Sequence, residues 1–248
     1  MFGSATMMNL RRLLAWRTRR QLEQMRADWD ERASLNARHF VATSKAEWDE
    51  TEFSRSGEAT VASYVLTDMD NICQGKRPKE MRVLEIGCGA GRVTRALAGI
   101  FGEVYAVDIS GVMIAEAHKT LASVKNALVF QNNGADLSVI PDLPFDFAFS
   151  TIVFQHVPSR EVIYGYVREV HRLLRPGRLF KFQVLGGAQL SPQYVRIWKE
   201  WFSIRHDSWV GVFFDESQAR RMASSCGFEL RHLHGADEQD FWLWFFKQ

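Results

Sequence analysis

The chain has little of what staples, anchors or polarises a protein. Its 248 residues include three cysteines, Cys73, Cys88 and Cys226, far apart in sequence. None has the paired spacing of zinc ligands, and three separated thiols make no disulfide framework, so a reducing cytoplasm is the expected setting. No metal is expected either. His232 and His234 share one face of an expected strand, but no carboxylate or cysteine stands at ligand spacing beside them. No apolar run reaches the roughly twenty residues that cross a bilayer. Arginines interrupt every candidate apolar core near the N-terminus, which argues against a signal peptide. A formal net charge of +2 gives no global attraction to nucleic acid. There are no internal repeats and no low-complexity segment.

What is present is ordinary in bulk and informative in pattern. Apolar residues make up 46% of the chain and charged residues 24%, the composition of a globular protein. The length suits one large α/β domain, or one domain with a small cap. Near the N-terminus Leu10, Leu13, Leu14, Leu22, Met25 and Trp29 recur at helical spacing. Six arginines (Arg11, Arg12, Arg17, Arg19, Arg20, Arg26) outnumber Glu23, Asp28 and Asp30 there. A solvated helix capping the domain is the expectation; contact of residues 10–29 with an anionic membrane surface or with nucleic acid is the alternative.

Residues 9–52 read as one or two helices, and Ser56-Gly57-Glu58 as the start of another. From Arg82 the pattern alternates. Strands are expected at 82–86, 103–107, 127–131, 145–150 and 179–185. Helices are expected at about 91–99, at 110–124 behind the cap Ser110, and at 159–174 behind the cap Ser159. Pro176-Gly177 is expected to turn the chain into the fifth strand. Such alternation predicts a doubly wound α/β sheet with parallel strands. The tail breaks the rhythm. Residues 186–212 are rich in aromatics, 216–225 read as a short helix, and 228–234 and 240–246 as a strand pair. Phe241 to Phe246 is apolar throughout, as in a strand covered on both faces.

The most informative stretch is Val83 to Arg92. An apolar run ends in Glu85, and glycine then recurs at every second position (Gly87, Gly89, Gly91) before a helical pattern begins. That is a buried strand, a turn without β-carbons, and a helix N-terminus aimed at a ligand. Asp108 closes the next apolar run about twenty residues on, where a carboxylate can accept both hydroxyls of a ribose. Together they indicate a nucleoside-containing cofactor. A dinucleotide fingerprint would need glycine where Arg92 stands.

Glu85-Ile86-Gly87-Cys88-Gly89-Ala90-Gly91 resembles the first motif of the class I S-adenosylmethionine-dependent methyltransferases. Asn133-Gly134-Ala135-Asp136-Leu137, Phe145 to Ser150, Phe154-Gln155-His156-Val157-Pro158 and Leu173-Leu174-Arg175-Pro176-Gly177 follow in the order of that family's small-molecule branch. The likeness covers roughly residues 81–184. It implies a seven-stranded sheet whose C-terminal strand runs antiparallel beside strand five, under an N-terminal helical cap (residues 1–75) on a cofactor domain (76–248) with an aromatic insertion at 186–212. It implies S-adenosyl-L-methionine as cofactor: Gly87, Cys88, Gly89 and Gly91 beside its amino-acid part, Glu85 supporting the amine, Asp108 on the ribose, Ile109 over the adenine. Asp136 would take the adenine amino group with Leu137 or Ala135 beside the ring. Ala135 intervenes where many relatives have aspartate directly after glycine, so a plain loop aspartate is the other reading. Gln155 would face the cofactor. Gln183, a polar group inside the apolar fifth strand, is expected to face the acceptor; a buried amide bonded to a loop is the other reading.

Methyl transfer from a sulfonium needs alignment, exclusion of water and sometimes one proton removed. His156, at the carboxyl edge of the sheet, is the candidate general base; a structural role bonding nearby backbone is the other reading. The expected partner is a small, aromatic or apolar acceptor. Two rivals stand beside this reading: a nucleic-acid methyltransferase using the basic N-terminus, and a non-catalytic cofactor-binding subunit.

Overall fold

The structure is a computed structural model that describes residues 3–187 and 210–248, with side chains from residue 18 onward. Seven strands form one sheet: β1 (Arg82–Ile86), β2 (Glu103–Asp108), β3 (Ala127–Gln131), β4 (Phe145–Ser150), β5 (Leu174–Leu185), β6 (Phe228–His234) and β7 (Asp240–Lys247), in the order β3-β2-β1-β4-β5-β7-β6. The first five are parallel, and β7 runs antiparallel to both neighbours. This is the doubly wound, mostly parallel sheet expected. Apolar runs in β1, β4 and β7 are required because both faces are covered. Val83, Phe147, Phe149 and Trp242 pack one way, on Val61, Val93, Leu97 and Phe101. Leu84, Ile86, Phe182 and Phe245 pack the other way, with Ile163, Val167 and Met222. Each residue step along a strand flips the side chain to the opposite layer.

The helices are α1 (Gly3–Val41), α2 (Glu50–Tyr64), α3 (Met69–Cys73), α4 (Arg92–Ile100), α5 (Gly111–Thr120), α6 (Arg160–Leu173) and α7 (Glu216–Ser225). Ser110 and Ser159 cap α5 and α6 as their sequence positions suggest, accepting from the amides of Met113 and Val162. None of the described helices is long and apolar enough to cross a membrane. The aromatics Tyr194, Trp198, Trp201, Phe202 and Trp209 lie outside the described residues.

Three boundaries differ from expectation. α2 begins at Glu50, where Asp49 accepts from the Glu52 amide, so Ser56-Gly57 is helix interior. Gly57 is there for close approach: a β-carbon on it would lie 2.1 Å from the Arg92 carbonyl oxygen, fixing α2 against α4. α5 ends four residues early, at Thr120. β5 starts at Leu174 because Pro176-Gly177 turns within it: Phe145 pairs with Leu174 but Phe147 with Leu179, and the looped-out Arg175 reaches Asp146 at 3.3 Å. α1 breaks at Asn36, whose φ is −167° and ψ 89°.

Candidate active site

The glycine loop leaves β1 and enters α4. Gly87, Gly89 and Gly91 all have positive φ (76°, 50° and 85°), a region that costs other residues strain. Asp108 pins this loop: one carboxylate oxygen accepts from the Gly89 amide and the other from the Ser110 amide, both at 2.9 Å. Asp108 thereby ties the ends of β1 and β2 together. Each of its oxygens keeps a further lone pair for a ligand hydroxyl.

A cavity of about 100 Å³ opens beside this loop. Of the expected cofactor residues, Glu85, Gly87, Cys88, Gly89, Asp108 and Ile109 line it. So do His156 and, from the N-terminal helix, Met25, Trp29, Phe40 and Val41. Gly91 lies at the start of α4 with its amide bonded to the Cys88 carbonyl. Burial pushes the Glu85 carboxyl up to about 7, against the opposing Thr94 hydroxyl bonded to it at 2.6 Å. Burial likewise lifts Asp108 to about 6, against its two backbone donors, with the nearby Asp30 charge adding to the rise. Burial also raises the Cys88 thiol well above its usual value, which fits a packing role and leaves no reactive thiolate.

Asp30, in the sequence one of three acids among the N-terminal arginines, has a specific place in the structure. It reaches from α1 to the Ser110 hydroxyl at 2.5 Å and to the Val112 amide at 3.3 Å, at the N-terminus of α5. Leu22 and Met25, two and one turns earlier, pack into the main core with Ile109 and Leu137. The first helix is therefore wedged along the cleft and is more than a solvated cap.

The expected adenine contacts fall differently. Asp136 does not line the cavity; its carboxylate accepts from the Ser138 amide and hydroxyl at 3.0 and 2.6 Å. Leu137 is fully buried in the core beneath. Asn132, one residue after β3, takes the place in the lining. Its Nδ2 donates to the Tyr166 hydroxyl at 2.7 Å, while Oδ1 is buried with no partner. Sequence reasoning passed over Asn132, although its position one residue past a strand end was the available signal. Thr151 Oγ1, at the end of β4, is a second buried polar atom without a partner, and it too lines the cavity. Native interiors seldom leave such atoms unpaired. A ligand carrying both donors and acceptors fits here: the carboxylate of Asp108 suits ribose hydroxyls, and Asn132 Oδ1 suits an exocyclic amine.

A second, wider cavity of about 570 Å³ adjoins the first. His156, Ile152 and Arg92 line both; Gln155, Trp48, Thr60 and Leu185 line the second. Gln155 thus faces the second cavity and does not line the first. The loop after β4 that carries His156 is held from β5. Gln183 Oε1 accepts from the Ile152 amide at 3.0 Å, and Gln183 Nε2 donates to Gln155 Oε1 at 2.8 Å and to Asp240 at 2.6 Å. Gln183 is therefore a buried positioning group under this loop. It holds Ile152 at φ 58°, costly for a β-branched residue. No cluster of three metal-ligating side chains occurs among the described residues.

Residues 83–177 match a family described as a methyltransferase domain. Among curated proteins, malonyl-[acyl-carrier protein] O-methyltransferase of Enterobacter lignolyticus is 32% identical over 120 residues, which cover 48% of this chain and 44% of that enzyme. The enzyme of the same name from Salmonella typhimurium is 26% identical over 182 residues, covering 64% of this chain and 68% of that one. The chain thus spans less than half of one of these relatives and about two thirds of the other. Among solved structures, a DhpI complex with S-adenosylhomocysteine aligns with a TM-score of 0.59 at 20% identity, over 90% of this chain and 95% of that one. Magnesium protoporphyrin IX methyltransferase from Synechocystis aligns with a TM-score of 0.58 at 18% identity, over 87% and 99%. At these identities the structural matches speak for the fold.

Proposed function

Residues 83–177 are a class I S-adenosylmethionine-dependent methyltransferase domain, and from that premise we propose that the protein transfers a methyl group to a small acceptor with an apolar or aromatic body. The observation that carries this is the pair of adjoining cavities with His156 on both walls. One cavity has the acids and unpaired acceptors that a nucleoside needs. The other has mixed walls for a second reactant, with Trp48, Ile152 and Leu185 beside hydroxyls and the Gln155 amide. S-adenosylmethionine, once bound, supplies a methyl group already activated on its sulfonium. The protein's own residues then align, desolvate and deprotonate. Asp108 takes the ribose hydroxyls, and Glu85 supports the amino end of the cofactor beside Gly87 and Gly89. Met25, Trp29 and Val41 close the cleft against water. His156 accepts a proton from the acceptor.

Asn132 is our candidate for the adenine amine in place of Asp136. Asn132→Leu removes the buried acceptor, and affinity for S-adenosylhomocysteine is expected to fall about tenfold, the value of one buried hydrogen bond. Asp136→Ala, outside the cavity, is expected to leave it unchanged. Isothermal calorimetry on the two variants decides between them. The reverse order restores Asp136.

A malonyl group on acyl-carrier protein and a porphyrin, in the names of similar proteins, support a small acceptor group. The three free thiols support a reducing, cytoplasmic setting. The reading is tested by calorimetry with S-adenosylhomocysteine and with NAD, then by following S-adenosylhomocysteine release over an acceptor library. Binding of the first ligand and turnover of an acceptor are expected. Tight binding of NAD instead would end the reading. Binding without turnover on any acceptor would favour a non-catalytic subunit.

A further inference from the structure

Arg92 is a cation to which the reading above gives no role. It stands at the first position of α4, yet the residue is buried, with 8% of its surface exposed. Nη1 donates to the Ser56 carbonyl at 3.0 Å and to Thr60 Oγ1 at 2.7 Å. Both acceptors are neutral and both belong to α2. The guanidinium makes no other hydrogen bond to the described residues, and none of their ion pairs includes it. Glu85 acts on it only at longer range, and burial outweighs that attraction, lowering the tendency of Arg92 to hold its charge. A buried guanidinium with no carboxylate beside it is an uncompensated cost.

Among the described residues the carboxylates are confined to one cavity, while Arg92 lies on the wall of both. Glu85 and Asp108 line the first, where a cofactor with a sulfonium and an ammonium would sit. The described lining of the second contains no carboxylate. There Arg92 is joined by hydroxyls such as Ser56 and Thr60, by the amide of Gln155 and by the ring of Trp48. The residues that anchor the guanidinium, Ser56 and Thr60, themselves line the second cavity. The volume of about 570 Å³ lies in the range of small-molecule sites.

We propose that Arg92 docks a carboxylate of the acceptor in the second cavity, so that the acceptor is a small carboxylic acid with an apolar body. This rests on the methyltransferase reading. A planar guanidinium held at one nitrogen by α2 presents its remaining N–H groups as a fork, which a carboxylate matches and a neutral amide does not. His156, on the wall shared by both cavities, is left to face the reacting atom.

The test is binding to the protein saturated with S-adenosylhomocysteine. The probes are benzoate and hexanoate, each beside its primary amide, titrated calorimetrically into the parent and Arg92→Gln. The parent is expected to bind the acids about tenfold or more tighter than the amides, as a charged fork predicts, and Arg92→Gln to lose that preference while binding S-adenosylhomocysteine normally. Arg92→Lys keeps the charge without the fork, and carries the test if Arg92→Gln does not fold; it is expected to keep only part of the preference. A parent with no preference for acids overturns the proposal, as does an Arg92→Gln or Arg92→Lys protein with the parent's preference intact. A tenfold loss of S-adenosylhomocysteine affinity in Arg92→Gln also overturns it, since Arg92 would then hold the cofactor's own carboxylate. Failure of the parent to bind S-adenosylhomocysteine at all is a different result: it ends the methyltransferase reading itself.

Discussion

His156→Ala is expected to slow single-turnover methyl transfer by roughly two to four powers of ten, the usual worth of a positioned base, with cofactor affinity unchanged. The geometry behind this is specific. His156 is buried on the wall between the two cavities, with the edge of Trp29 from α1 at 5.3 Å between ring centroids. Its Nε2 is 3.2 Å from the side-chain nitrogen of Gln155. The orientation of that amide is assigned through Gln183, which donates to Gln155 Oε1. Gln155 Nε2 is then the donor and His156 Nε2 an acceptor, so the neutral ring carries its proton on Nδ1. A ring held as an acceptor can exchange the amide donor for a hydroxyl or amine of the substrate. Only the neutral ring can do so, and the rate of the parent is therefore expected to rise with pH until the imidazole is fully deprotonated. His156→Ala should lack that rise. His156→Gln, with similar reach and no base, should be equally slow. If the variant has the parent's rate and pH profile, His156 is a packing residue. If the variant is chiefly less stable while its folded fraction reacts at near-parental speed, its role is structural.

Much of the fold was legible because the strands are buried on both sides. Runs such as Val83 to Ile86 and Phe145 to Ser150 carry no polar residue on a solvent face, and their bounds match the sheet closely. The glycine loop was legible for a different reason: three positive φ angles in five residues leave a composition that little else produces. Asp108 followed from its place at a strand end. What could not be read was long-range. Asp30 is recognisable only when α1 lies across the N-terminus of α5, some eighty residues on. Asn132 and Asp136 are equally polar in sequence, and only the turn after β3 decides which faces the cavity. The start of α2 was misplaced because Ser56-Gly57 has the look of a helix start, whereas the glycine is demanded by the Arg92 carbonyl of another helix. Gln183 stood out as a polar group in an apolar strand, yet its partners in the loop after β4 and at Asp240 depend on the pairing of β5 with β7.

Asp108→Ala is expected to lower affinity for S-adenosylhomocysteine by about 2–3 kcal/mol, the worth of charge-assisted hydrogen bonds to two hydroxyls. Part of that loss would come through the loop, since Gly89 and Ser110 lose their acceptor. The carboxylate also dictates a pH dependence. Without ligand its pKa is raised to about 6, mainly by burial. Hydroxyl donors favour the charged form, so binding lowers the pKa and releases a proton when the pH is below about 6. Affinity is therefore full above that value and falls as the pH drops through it, by up to tenfold per unit. Glu85, raised to about 7, adds a second step on the same side if it pairs with the ammonium of the ligand. Asp108 contributes to the rise of Glu85, and Asp30 to that of Asp108. Removing Asp108 should thus abolish the step near 6 and move the Glu85 step downward. Calorimetry between pH 5 and 8, in buffers of different ionisation enthalpy, counts the protons directly. An Asp108→Ala protein with the parent's affinity and proton release would show that Asp108 only braces the glycine loop. Asp108→Asn separates the two roles: its NH2 group would face either the Gly89 or the Ser110 amide, donor against donor, so it should lose affinity as well while showing no proton release at this site.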